Sequence, residues 1–188
     1  MIRKVTNMFD VNEENDKFIR KSRRLSYVPR WVVVPTIRKQ VVDQHSYQVA
    51  QIARWLMYYH RNQSTAFRLE VVESALDHDI DEALTGDRPT PSKTDVSPIT
   101  NMQAKVVIKC ADILEAICFM EEESAMGNQV YSAVVIMERK AAFHDWWQNF
   151  DWFDGPTRTR HKPLSHDIIQ YLVHQFVRPI HPAMEPKE

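Results

Sequence analysis

Only three glycines occur in 188 residues, and Gly86, Gly127 and Gly155 stand far apart. This scarcity narrows the possible folds more than any other feature. All-β folds turn often and need more residues that tolerate positive φ. Gly-rich phosphate loops of the GxGxxG or Walker type are excluded. Phosphate bound by such a chain has to meet side chains, a metal or helix ends. A helical chain remains, and the hydrophobic periodicity agrees.

Five strong helical stretches and one weaker one follow from that periodicity. The weaker covers about 12–25, with Phe18, Ile19 and Leu25 as its main apolar residues. In Tyr27–Thr36, Pro29 and Pro35 flank Arg30-Trp31-Val32-Val33-Val34, and the prolines favour an extended linker. The second helix is expected from Asp43, its N-cap, to Arg61, with His45, Val49, Ile52, Leu56 and Tyr59 facing inward. The third is expected from Thr65 to Leu84, with Phe67, Val71, Ala75 and His78 on one stripe and Gly86 as its stop. Pro89, Pro91 and Pro98 make 87–98 a loop. The fourth helix covers about 100–126, where Ile108, Asp112, Ala116 and Phe119 share a face. After Gly127-Asn128 a fifth covers about 129–150. It ends in the aromatic cluster Phe143, Trp146, Trp147, Phe150, Trp152 and Phe153, expected to be core or an oligomer contact. Gly155-Pro156 stops the chain, and a last helix runs from Ser165 to about Val177. The prediction is an all-α, single-domain bundle of about six main helices over 1–188, with a loose tail at 179–188.

The bulk numbers bound the function. A hydrophobic content of 44% supports one core and is short for two domains. A net charge of −1 offers no electrostatic case for nucleic acid or an anionic membrane. No apolar run approaches the roughly 20 residues needed to cross a bilayer. The segment MIRKVTNMFDVNEEND lacks the apolar region of a secretory signal. Cys110 and Cys118 belong to one helix, about 12 Å apart and beyond disulfide reach. A reducing cytoplasm is expected.

Three His-Asp pairs occur, at 78-79, 144-145 and 166-167. Asp167 has a sufficient role in the first turn of the last helix, near its positive dipole end. The second pair has no acidic or histidine partner at helical spacing. The first has Glu82, i+4 from His78 and i+3 from Asp79, so one helix would bring all three to an inward face. Two carboxylates and an imidazole buried together cost several kcal/mol unless paired or metal-bound. His45 and Asp112 put polar groups on otherwise apolar faces of two other helices. Singly, His45 reads as a core histidine, Asp112 as a partner of Lys109 or Lys105, and Glu82 as a solvated residue. Jointly, two neutral imidazoles and two carboxylates match one divalent cation. The mixed N/O set favours Mn, Co, Fe, Ni or Zn over Ca or hydrated Mg.

The pattern His45…His78-Asp79…Asp112 resembles the HD-domain phosphohydrolase superfamily. Arg30-Trp31, Asp43-Gln44-His45-Ser46, the run from His78 through EALTGDRPTP, and Lys109-Cys110-Ala111-Asp112 resemble its bacterial 5′-deoxynucleotidase (YfbR-like) group over about 18–125. Helices of 129–178 match only in being helical. The resemblance implies His45, His78, Asp79 and Asp112 as metal ligands for one divalent ion, with Co²⁺, Mn²⁺ or Zn²⁺ favoured and Mg²⁺ possible. It implies Glu82 and Asp87 as carboxylates that handle the attacking water, and Arg30 as the phosphate contact. Trp31 would pack on the sugar and disfavour a 2′-hydroxyl. Val33 and Pro89 complete the expected substrate wall. The segment 92–100 is shorter than in the bacterial enzymes, where another helix stands. Compact viral relatives share this plan and hydrolyse deoxynucleoside triphosphates, including dATP.

The expected activity is metal-assisted removal of phosphate or triphosphate from the 5′ position of 2′-deoxynucleotides. The enzyme would be a cytoplasmic homo-oligomer, in a bacterium or in a virus's host. The alternatives are a non-catalytic nucleotide sensor, or a hydrolase of cyclic or guanosine polyphosphate nucleotides. Arg30-Trp31 and TGDRPTP argue against the latter.

Overall fold

A computed structural model describes residues 13–87, 99–153 and 162–177. Pro89, most of the proline-rich loop and the shortened segment after it lie outside these residues. So do the Gly155-Pro156 stop and the tail from 179. The described residues are all-helical: α1 (Glu13–Leu25), α2 (Val42–Leu56), α3 (Thr65–Asp77), α4 (Glu82–Thr85), α5 (Met102–Ala125), α6 (Gln129–Gln148) and α7 (Ser165–Phe176). Six are main helices, and α4 is a single turn. Among the described residues no strand forms beyond two isolated bridges, Pro29 to Val41 and His60 to Trp152. No described helix is long and apolar enough to cross a membrane.

The centre is α5. From Ala104 to Ile117 it buries residues on nearly every side, including Val107, Cys110, Ile113, Leu114 and Ile117. A helix apolar all round is stable only when surrounded. Helices α2 and α3 cover one side of α5, and α6 and α7 cover another. Asn101 starts it by accepting from the backbone N–H groups of Gln103 and Ala104. Gly127, with φ +108, allows the reversal into α6 that a residue with a Cβ would resist. The aromatic cluster is core at Phe143, Trp147 and Phe150, all at most 3% exposed.

The structure corrects three boundaries. The second helix begins after Val41 rather than Asp43 and ends at Leu56 rather than Arg61. Tyr58 and Tyr59 then donate to carbonyls three residues back, and Tyr59 stacks on Trp152 at 5.6 Å. The third helix is not continuous to Leu84. It stops at Asp77, and Ile80, Glu82, Ala83 and Leu84 each donate to the carbonyl three residues earlier. The His78 ring occupies the Ala75 carbonyl at 2.7 Å, the acceptor that the Asp79 N–H would use if the helix continued.

Tight packing also explains His60. It is fully buried between Phe67 and Phe150, each 5.1 Å away by ring centroid. Its Nδ1 accepts from the Asn62 N–H at 3.1 Å. Burial pushes its pKa below the ordinary histidine value. The unfolded chain therefore takes up a proton that the folded chain resists. The neutral ring's stabilisation is complete above about pH 6.5 and declines below it until the folded pKa is passed. Thermal unfolding should show Tm falling from about pH 7.5 to about 5.5, with a shallower fall in His60→Gln. An unchanged slope in that variant would remove His60 from the account.

Candidate metal centre

Three chain segments bring polar groups around the buried His45 ring. His45 lies one turn into α2, on the face that carries Val49 and Ile52. His78 and Asp79 lie in the break after α3, and Asp112 lies mid-way along α5. The break matters, because adjacent residues on a regular helix point about 100° apart. His45 Nε2 is 3.3 Å from Asp112 Oδ1 and 3.7 Å from Asp79 Oδ2. His78 Nε2 is 3.4 Å from the same Asp79 oxygen. Ligand atoms of His45, His78 and Asp79 all fall within 4.8 Å of one another.

This arrangement fits a metal. Bonds of about 2.0–2.2 Å to one ion place neighbouring donors about 3–4 Å apart. The buried Nε2 atoms of His45 and His78 have no hydrogen-bond partner among the described residues. Their other ring nitrogens are held by Glu115 and by the Ala75 carbonyl, each at 2.7 Å. That pattern leaves Nε2 as the lone-pair side, as in metal-ligating histidines. Burial pushes the His78 pKa down. Burial and Arg30 push His45 the same way, but Glu115 and Asp112 outweigh them and hold it above the ordinary value. Burial would raise Asp112, yet Lys109, His45 and His78 hold it well below the carboxylate range. Lys109 Nζ lies 2.6 Å from Asp112 Oδ2, so the ordinary ion pair coexists with the cluster.

Glu82 is only 5% exposed, in keeping with the expected inward face and against the alternative of a solvated residue. Its backbone follows i,i+3 turns from Asp79, in which residues three apart eclipse. The single helix expected to unite His78, Asp79 and Glu82 is therefore replaced by a tighter turn.

Arg30 and Trp31 stand on a loop closed by the Pro29–Val41 bridge, with Arg30 N donating to Gln40 O at 2.8 Å. Buried Nε and Nη1 of Arg30 have no hydrogen-bond partner among the described residues. A half-buried guanidinium with unused N–H groups suits an anion. Trp31 has φ +61, an outlier for a bulky residue that costs about 1–3 kcal/mol. Three contacts hold it there. Its N–H donates to Asp87 Oδ2 at 3.1 Å, its indole donates to Gln40 at 2.9 Å, and its ring stacks on Phe119 at 5.6 Å. Asp87 thus anchors Trp31 directly. Val33 is 69% exposed, and the structure does not draw it into the cluster.

The other His-Asp pairs are exposed. His144 bonds the Ser165 hydroxyl at 2.9 Å, and Asp167 sits in the first turn of α7. Sequence reasoning missed Glu115 and Gln40, both buried and joined at 2.6 Å. One signal for Glu115 was available: it sits i+3 from Asp112 on a helix with almost no polar face. A cleft of about 700 Å³ between α2 and α5 is lined by Gln44, Ile52, Trp55 and Phe119 and touches Gln40 and Glu115, but not His78 or Asp79.

The chain is similar to known proteins in both sequence and fold. The 5′-deoxynucleotidase YfbR-like family matches residues 17–107. Over those residues the chain is similar to that family. The match takes in Arg30, Trp31, His45, His78, Asp79, Glu82 and Asp87, and Asp112 and Glu115 lie beyond it. A dATP triphosphohydrolase of Salmonella phage PMBT28 is 41% identical over 37% of this chain and 39% of its own length. A 5′-deoxynucleotidase of Shewanella oneidensis is 35% identical over 37% of each chain. These matches thus span under half the length of either relative. The HD phosphohydrolase DatZ of cyanophage S-2L, solved with dA and one catalytic Zn²⁺, shares the fold. Its TM-score is 0.56 at 18% identity, covering 85% of this chain and 95% of that one.

Asp79→Ala and His45→Ala should each abolish stoichiometric binding of Zn²⁺ or Co²⁺ in equilibrium dialysis while helical circular dichroism is kept. His144→Ala, in the exposed pair, should bind normally. Full metal binding by Asp79→Ala would refute the centre.

Proposed function

We propose that this protein is a metal-dependent phosphohydrolase of 2′-deoxynucleotides, acting at the 5′ position. The observation that carries this reading is the convergence of the His45 and His78 Nε2 atoms with Asp79 and Asp112, on a chain whose half-buried Arg30 has unused N–H groups. One ion would be held by His45, His78, Asp79 and Asp112. The mixed N/O set favours Co²⁺, Mn²⁺ or Zn²⁺. When bound, such an ion supplies Lewis acidity for phosphoester hydrolysis.

The chain's own residues supply the remainder. Arg30 binds the phosphate and offsets the charge that grows on its oxygens in the transition state. Glu82 orients the attacking water and accepts its proton. Asp87 contributes by seating Trp31, and the resemblance assigns it as a second carboxylate for the water. Trp31 forms a rigid wall against the sugar, and its fixed ring leaves no room for a 2′-hydroxyl. Pro89 is assigned to the base side of the pocket by resemblance alone. Val33, being exposed, is left with the outer rim. Similarity to both a 5′-deoxynucleotidase and a dATP triphosphohydrolase supports the substrate class and allows either phosphate or triphosphate as product. We place the enzyme in the cytoplasm as a homo-oligomer. The exposed stripe Val130, Val134 and Met137 on α6 supports assembly.

The deciding experiment incubates purified protein with Co²⁺, Mn²⁺ or Zn²⁺ and dNMPs, dNTPs or NTPs, then identifies the products. Hydrolysis of deoxynucleotides over ribonucleotides is expected, and no hydrolysis of any nucleotide with any metal defeats the reading. Glu82→Ala should keep the metal and lose about 10²–10⁴-fold in kcat. Trp31→Ala should narrow the preference for deoxyribose.

A further inference from the structure

An unbroken series of hydrogen bonds joins Trp31 to His45. The Trp31 indole N–H donates to Gln40 Oε1 at 2.9 Å. Gln40 Nε2 donates to Glu115 Oε1 at 2.6 Å. Glu115 Oε2 accepts from His45 Nδ1 at 2.7 Å. Gln40, Glu115 and His45 are 6%, 4% and 0% exposed, so protein groups rather than water satisfy the series.

The order of donors and acceptors is forced from both ends. An indole nitrogen can only donate. His45 has to donate from Nδ1 if Nε2 is to present a lone pair toward Asp79 and Asp112. A series with a donor at each end needs one member that accepts on both sides, and a carboxylate does this with its two oxygens. An amide at position 115 would set its NH₂ against either the His45 N–H or the Gln40 NH₂. Flipping Gln40 only moves the mismatch to the Trp31 N–H. Changing the His45 tautomer removes it, but puts a hydrogen on the nitrogen that faces the cluster.

We propose that Glu115 and Gln40 are positioning residues that couple the Trp31 wall to the lone pair of His45, so that sugar discrimination and metal affinity are set by one hydrogen-bond series. The proposal rests on the metal and sugar-wall assignments above. It adds two residues that touch no reacting atom, one of which, Glu115, lies beyond the family match. The interaction is not simple packing, because what matters is the direction of each hydrogen bond. Shape alone would be preserved by the isosteric exchange of carboxylate for amide.

That exchange supplies the test. Glu115→Gln should raise the Kd for Co²⁺ by about 10–100-fold, the effect typical of losing a partner behind a metal-binding histidine. Gln40→Glu alone sets two carboxylates face to face and should also weaken binding. Combined, the two substitutions restore the order: indole N–H to carboxylate at 40, amide NH₂ at 115 to that carboxylate, amide oxygen at 115 to His45 N–H. The double variant should recover most of the lost Co²⁺ affinity. The Trp31 indole N–H resonance, identified by its absence in Trp31→Phe, should shift in Glu115→Gln and return in the double variant. Unchanged Co²⁺ affinity in Glu115→Gln, or a double variant as weak as the single, overturns the proposal. If Glu115→Gln does not fold, Gln40→Leu carries the test, and an unmoved indole resonance there overturns it. All these readings are made without turnover. Intact coupling without deoxynucleotide hydrolysis would therefore reject the proposed function and leave the coupling standing.

Discussion

Burying ionisable groups inside an apolar helical bundle is the constraint on which this structure turns. A fully buried Leu, Ile or Phe side chain contributes about 1.5–3 kcal/mol, whereas removing one partner of a buried charge pair costs about 3–5. Two imidazoles and the carboxylates of Asp79, Asp112 and Glu115 are largely withdrawn from water beside α5. Such a cluster is tolerable only where each group answers another. Glu115 answers His45, the Ala75 carbonyl answers His78, and Lys109 answers Asp112. The rigidity of α5 follows from its being surrounded, and that rigidity holds Asp112 and Glu115 one turn apart toward the same ring.

The break after α3 is the second necessity. A regular helix would fan His78 and Asp79 apart, and would give the Ala75 carbonyl to the Asp79 backbone. With the His78 ring in that place, the chain tightens into i,i+3 turns and both side chains come to bear on His45. The energetic loss from leaving α-geometry is small, because the turns keep a hydrogen bond at nearly every step.

The helical class was legible because periodicity reports which faces are buried, and those faces are long in α2, α5 and α7. His45 and Asp112 were legible for the same reason, as polar residues on apolar stripes. The interruption at Asp77 was not. The pattern Phe67, Val71, Ala75, His78 runs smoothly through it, and a side chain replacing a backbone donor leaves no mark on hydrophobic spacing. Gln40 was hidden because it lies in the loop between Pro35 and α2, where periodicity carries no information. The resemblance supplied roles that spacing could not, such as those of Arg30 and Trp31. Burial then weighed individual residues: Glu82 is interior, as its inward-facing reading expected, and Val33 is exposed.

Trp31 is where the backbone's preference and the side chain's use oppose each other. Its positive φ is one that glycine or asparagine adopts with ease, and the loop holds an indole there through Asp87, Gln40 and Phe119. A redesign guided by conformational energy alone would replace this residue early and count the change as an improvement. It would yield a calmer loop from which the ring proposed as the sugar wall was gone. Position 31 therefore marks the limit of stability as a guide to engineering this chain, since the strain there is inseparable from keeping a large flat ring in place.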